Sequence, residues 1–162
     1  MKTCAMIAGQ DDAYEIEPGL LSEQMPVLYY DFGVRKILSG VHKGRELGAL
    51  DHLLKQRARF PRLKIHGVFT HEEEANLWNE EDREKLYGVI RHCDEEWILK
   101  PVQGNEMRFQ RNIVMMDSAD LIFLLGRDPE IEFWAAKLKK PILGLDISKR
   151  CLYPAIRLFH PS

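Results

Sequence analysis

KILSGVHKGRELGALDHLLKQ, residues 36–56, passes from an apolar run through a glycine-containing loop into a helical pattern. Lys36-Ile37-Leu38 has the short apolar character of a buried strand's end. Ser39, Gly40 and Gly44 then interrupt the chain, after which Leu47, Leu50, Leu54 and Ala58 recur at helical spacing and mark one apolar stripe. The loop between them has two readings. Glycine relieves tight turns; alternatively, the loop amides and the Ser39 hydroxyl cradle an anion at the positive end of the helix. Glu46, in the first helical turn, either favours the helix dipole or turns toward a ribose or a water.

The pattern continues outward in both directions. Upstream, Cys4 to Ala8 is an apolar run stopped by Gly9, and residues 20–30 are helical or irregular, with Pro26 limiting any helix. Downstream, Pro61 ends the first helix, Leu63 to Phe69 forms a strand and Glu80 to Cys93 a helix with Leu86, Val89, Ile90 and Cys93 on one side. Trp97-Ile98-Leu99 is a short strand. Phe109, Ile113 and Met116 stripe the next helix, leaving Arg111, Asn112 and Met115 on its other faces. Leu121 to Leu125 is a continuous apolar run suited to a strand covered on both faces. Glu130 to Lys139 reads as a helix and Ile142 to Leu145 as a further strand. Strand alternating with helix predicts an α/β fold with a mainly parallel sheet and helices on both faces. Ligands of such sheets gather at the carboxyl ends of the strands, here Gly9-Gln10, Ser39 to Glu46, Thr70 to Glu74 and Gly126-Arg127. The basic, aromatic tail after Asp146 receives no element.

The 162 residues, 45% hydrophobic, suit one domain over 1–162 with a sizeable core. A formal net charge of −2 offers no global attraction to nucleic acid or anionic membrane. No segment approaches a membrane-spanning run, and the N-terminus is unlike a signal peptide. Cys4, Cys93 and Cys151 have no paired spacing, which fits reduced thiols and a cytoplasmic location rather than a disulfide framework or zinc site.

Individual motifs carry less. Arg111 can bind a phosphate or carboxylate bidentately, but a solvated helix face is the ordinary place for a charged residue. The run from His71 to Glu84 lacks EF-hand spacing and HExxH, so it reads as a solvated helix start with Trp78 anchored on the body or covering a ligand base. Lys55, Arg57, Arg59, Arg62 and Lys64 suit a helix end better than a nucleic-acid surface. Asp31-Phe32-Gly33 has no accompanying kinase motifs, and no GxGxxG, Walker loop or nucleophile elbow is present.

Taken in order, Ser39-Gly40 with Gly44 and Glu46, Glu72 to Trp78, and Arg111-Asn112 followed by Met116 to Asp120 resemble the YpsA-like branch of the SLOG superfamily. This Rossmann-like group also contains DprA/Smf and LOG proteins, and the resemblance covers residues 3 to 146. It implies a three-layer Rossmann-like fold and a ligand site drawn from Gly9, Gln10, Ser39, Gly40, Gly44, Glu46, Glu72, Trp78, Arg111, Asn112, Gly126 and Arg127. It also implies that the ligand is a nucleotide or nucleotide-derived small molecule. The chain departs from relatives after the Leu121–Leu125 strand. Gly126-Arg127-Asp128-Pro129-Glu130 stands where many have a glycine-rich, threonine-containing phosphate loop, and Gly9-Gln10 lacks the basic residue that often follows that glycine.

Three functions stand open on this basis. The first is a nucleotide-binding sensor or accessory protein. The second is an N-glycosidic hydrolase or transferase, with Glu46 activating water and Arg111 holding phosphate. The third is a ligand-free scaffold acting through protein contacts. No cofactor or metal is indicated. Met115 and Trp134, apolar residues outside the stripes, favour a homodimer.

Overall fold

The computed structural model describes residues 2–9, 16–100 and 106–154. Seven strands form one sheet: β1 (Lys2–Ala8), β2 (Val34–Gly40), β3 (Lys64–Phe69), β4 (Glu95–Ile98), β5 (Leu121–Leu125), β6 (Ile142–Asp146) and β7 (Cys151–Pro154). Their order is β4-β3-β2-β1-β5-β6-β7; every pairing is parallel except that of β6 with β7. This is a Rossmann-like α/β fold.

Five α-helices cover the sheet: α1 (Pro18–Pro26), α2 (Arg45–Gln56), α3 (Glu80–Ile90), α4 (Met107–Asp117) and α5 (Pro129–Lys137). Side chains alternate across the strands, so each strand feeds two cores. Cys4, Met6, Ile37, Ile65 and Phe123 meet Leu20, Leu47, Leu50 and Leu86 of α1, α2 and α3. Ala5, Ile7, Leu38, Val68, Ile122 and Leu124 meet Met115, Met116, Ile131 and Ala135 of α4 and α5. All five residues of β5 are buried, as a two-sided strand requires. No described helix is long and apolar enough to cross a membrane.

Helix starts follow local chemistry. Asn79 caps α3 by accepting from Asp82 N at 2.8 Å, with Glu80, Glu81 and Asp82 in the first turn of the dipole. Asp128 caps α5 ahead of Pro129, which sits where a missing N–H costs nothing. Gly44 opens α2 with φ of 97°, a conformation that a side chain would strain.

Residues 20–30 take the helical one of their two expected forms: α1 runs to Pro26 and the chain continues as a π-helical turn over Val27–Asp31. Four expectations are corrected. In α2, Ala58 does not continue the stripe, because the helix ends at Gln56; Leu53 takes the buried place. The buried face of α4 is Arg111, Asn112, Met115 and Met116, while Phe109 and Ile113 are only half-buried. Met115 therefore lies inside the protomer core at 0% exposure and offers nothing to a dimer. The chain after Asp146 contributes β7, whose Tyr153 lies against Gly144, close enough that a Cβ there would meet its ring at 2.1 Å.

Candidate functional site

The parallel register brings Gly9, Gly40 and Gly126 to the same, carboxyl, edge of the sheet, as the chain alternation implies. Gly9 N donates to Leu125 O at 2.8 Å, locking the β1 end onto β5. Strand order reverses between β1 and β5, and the crevice outside such a switch point is where ligands of this architecture sit.

Across the end of β2 lies a buried ion pair. Arg111, from the α4 layer, donates Nη1 to Glu46 Oε1 at 2.5 Å and Nη2 to Glu46 Oε2 at 2.8 Å. Glu46 comes from α2 in the opposite layer, so the pair bridges the two helical faces over Gly40. Exposures of 1% and 5% for the two side chains place it out of water. His42 N gives Oε1 a further bond at 2.9 Å, and Arg108 Nη2 reaches Oε2 at 3.3 Å. Asn112 Oδ1 accepts from Arg111 Nη2 at 2.8 Å. With every carboxylate oxygen doubly bonded, the desolvation cost of the charges is offset. Gly40 has a plain reason here: a Cβ would lie 1.9 Å from Glu46 Oε1.

Beside this pair opens a cavity of about 670 Å³. Its walls are His42, Thr70, His71, Glu74, Glu106, Met107, Arg108, Phe109, Glu130 and Trp134. Phe109 and Trp134 meet edge to face, with ring centroids 5.8 Å apart. On the polar wall, His42 Nδ1 is 3.3 Å from Glu74 Oε2. Glu74 Oε1 accepts from Thr70 N at 2.6 Å and from the Thr70 hydroxyl at 2.8 Å. Burial pushes the Glu74 carboxyl up, but the bonds from His42 and Thr70, with the Arg111 charge nearby, bring it below its usual value of 4.5.

The sign follows from proton binding. A carboxyl lowered in the folded state contributes stability that is complete above pH 4.5 and is lost as pH falls through the folded value. Glu74→Gln should therefore flatten the acid limb of stability below pH 4.5 relative to the parent, measured as urea midpoints from pH 3 to 6. His52 and His66, both lowered by burial, also lose stability as pH falls below 6.5, so the parent–variant difference is the quantity to read. Equal acid slopes would overturn the Glu74 assignment.

Of the strand-end loops named from the sequence, Ser39–Glu46 and Thr70–Glu74 reach the cavity wall through His42, Thr70, His71 and Glu74, whereas none of the individually named site residues that are described lines it. Ser39 is buried and donates to Gly40 O at 2.9 Å. Gly44 is exposed at the start of α2. Glu72 is exposed beside a separate hollow with Ile98, Leu99 and Lys100. Trp78 is 8% exposed and stands edge-on to the His42 ring. Gly126 O accepts from the Tyr153 hydroxyl at 2.6 Å, and the Arg127 guanidinium lies 3.7 Å over the Tyr153 ring with Glu132 3.8 Å away. Gln10 lies outside the described residues. The solvated-face reading of Arg111 is overturned by its burial. His42, Glu74 and Arg108 are not individually named by the sequence reading, and Phe109 and Trp134 enter it only as a helix stripe and a dimer contact; the strand-end loops at Ser39–Glu46 and Thr70–Glu74 are the signal for the first two.

The basic cluster after α2 is engaged internally. Arg57 contacts Asp94 Oδ2 at 2.5 Å, Lys64 reaches Asp94 Oδ1 at 3.9 Å, and Arg59 donates to Ser22 and Gln56 at 2.7 Å each.

Two solved structures share the fold. DNA processing protein A from Helicobacter pylori, described with a single-stranded DNA binding mode, superposes with a TM-score of 0.57 at 14% identity; 88% of this chain is covered, but only 64% of that one. The molybdenum cofactor carrier protein from Chlamydomonas reinhardtii gives 0.52 at 13% identity, covering 88% and 75%. No curated protein matches the sequence at a significant level. A family model does, over residues 8–140, a span that runs from the last residue of β1 through α5 and holds both halves of the Glu46–Arg111 pair: the chain belongs to the YspA SLOG family (YpsA).

Proposed function

We propose that the protein binds a nucleotide-derived small molecule in the cavity at the carboxyl edge, and acts as a sensor or accessory factor through that binding. The observation that carries this reading is the pairing of an aromatic wall, Phe109 and Trp134, with a hydrogen-bonding wall, His42, Thr70 and Arg108, around one cavity. Such a combination suits a flat heteroaromatic ring with a polyhydroxylated substituent. The fold-level relatives lend general support, since their descriptions name a polynucleotide in one case and a cofactor in the other.

The hydrolase reading draws less support. Both oxygens of Glu46 are committed to Arg111, His42 and Arg108, which leaves no lone pair aimed at a water. Were the ligand turned over, His42, oriented by Glu74 and lining the cavity, would be the better-placed proton acceptor.

The binding reading is tested by thermal shift against nucleobases, nucleosides, nucleotides and dinucleotides, followed by calorimetry. Trp134→Ala and Arg108→Ala should each weaken the best hit by about tenfold, the scale of one lost stacking or charge-assisted contact. Binding unchanged in both variants, or no binding by the parent, would discard this site.

A further inference from the structure

We infer that the ligand lacks a phosphate chain: the cavity takes a nucleoside-class molecule, neutral or cationic in its ring, in preference to the corresponding nucleotide. This deepens the binding reading above and rests on it.

The first ground is that several groups at this edge that would suit an anion are engaged within the chain itself. The Asp128 carboxylate accepts from Glu130 N at 3.1 Å and Ile131 N at 3.3 Å, so the first amides of α5 already hold an anion. In the loop entering α2, His42 N is spent on Glu46, Leu47 N on His42 O at 2.9 Å and Gly48 N on Gly44 O at 2.9 Å. Two arginines that would suit a phosphate have other work. Arg111 is neutralised by Glu46, and Arg127 is stacked on Tyr153 beside Glu132.

The second ground is the charge of the cavity wall. Among the described residues lining it, Arg108 is the one permanent cation, and part of its field is directed at Glu46. Against it stand the carboxylates of Glu74, Glu106 and Glu130. Glu106 and Glu130 both stand exposed in the wall, where Arg108 is the one permanent cation among the described lining residues, and their charge faces whatever enters. A phosphate dianion brought among three carboxylates and one guanidinium meets net repulsion. A ring with hydroxyls, or one bearing positive charge, meets either none or attraction. The aromatic pair and the Thr70–His71–Glu74 side, rich in acceptors and donors, suit that ring and its hydroxyls.

The test is calorimetry at low ionic strength with adenosine, guanosine, cytidine and uridine, each beside its 5′-monophosphate and 5′-diphosphate. The nucleoside that binds best should exceed its own monophosphate by about tenfold, with the diphosphate weaker again, and the gap should narrow in 0.5 M salt. Glu106→Gln/Glu130→Gln, a change of two exposed side chains, should narrow the same gap at low salt by raising the affinity for the monophosphate. A monophosphate that binds as tightly as its nucleoside, or more tightly, overturns this inference and leaves the binding reading standing. Failure of both nucleosides and nucleotides to bind overturns the cavity reading and this inference together. A gap that ignores both salt and the double substitution would overturn the electrostatic cause and with it the inference.

Discussion

Arg111→Ala should destabilise the protein by about 3–5 kcal/mol, the cost of leaving a buried charge without its partner. Glu46 would keep only the His42 amide and the longer contact from Arg108, at 5% exposure. The guanidinium is also among the largest fully buried side chains, so truncation opens a void between α4 and the sheet. Urea unfolding measures the loss. The double variant Glu46→Leu/Arg111→Met should lie nearer the parent than either single variant, because removing both charges removes the desolvation cost along with the bond. If Arg111→Ala is within about 1 kcal/mol of the parent, the pair is not the clamp described here. Loss of ligand binding in Arg111→Ala must accordingly be read only on protein shown to be folded.

Gly40→Ala should be the most damaging of the small substitutions. Its Cβ would fall 1.9 Å from Glu46 Oε1 and 2.5 Å from Arg111 Nη1, and neither atom can retreat without breaking the pair. Overpacking of this kind costs about 1–3 kcal/mol, and more where a bond must also be broken. Gly88→Ala is the matched control. Gly88 lies within α3 with nothing within 4 Å of its Cβ position, so alanine there should stabilise by about 0.5–1 kcal/mol through helix propensity. Combining Gly40→Ala with Glu46→Ala should cost less than the sum of the two, since the second change removes the first one's obstacle. Strict additivity would show that Gly40 is required for some other reason.

The two glycines of the β2–α2 loop are required for different reasons. Gly44 answers to local geometry: its φ of 97° starts α2 and could be inferred from a glycine standing just before a helix. Gly40 answers to a contact with side chains 6 and 71 positions further along the chain, through Glu46 and Arg111, and no reading of residues 36–56 alone contains it.

The alternation of apolar runs with helical stripes was enough to place β1 through β6 and all but the first helix to within a few residues, because strand and helix periods are local properties of side-chain order. The same alternation sends the loops after β1, β2, β3 and β5 to one edge, since parallel strands all point the same way. It could not orient α4. Charge is nearly always expected at the surface, so the sequence turns Arg111 and Asn112 outward and Phe109 inward; instead Arg111 and Asn112 are buried and Phe109 half-buried, because Glu46, 65 positions away on the other helical layer, supplies the partner that lets a guanidinium be buried. Nor could it find β7, whose short basic and aromatic pattern becomes a strand only beside β6, with Tyr153 resting on the bare backbone of Gly144. The cavity is the clearest case. Its wall joins the ends of β2 and β3 to the first turns of α4 and α5, four places that only the packing of both layers against the sheet brings together.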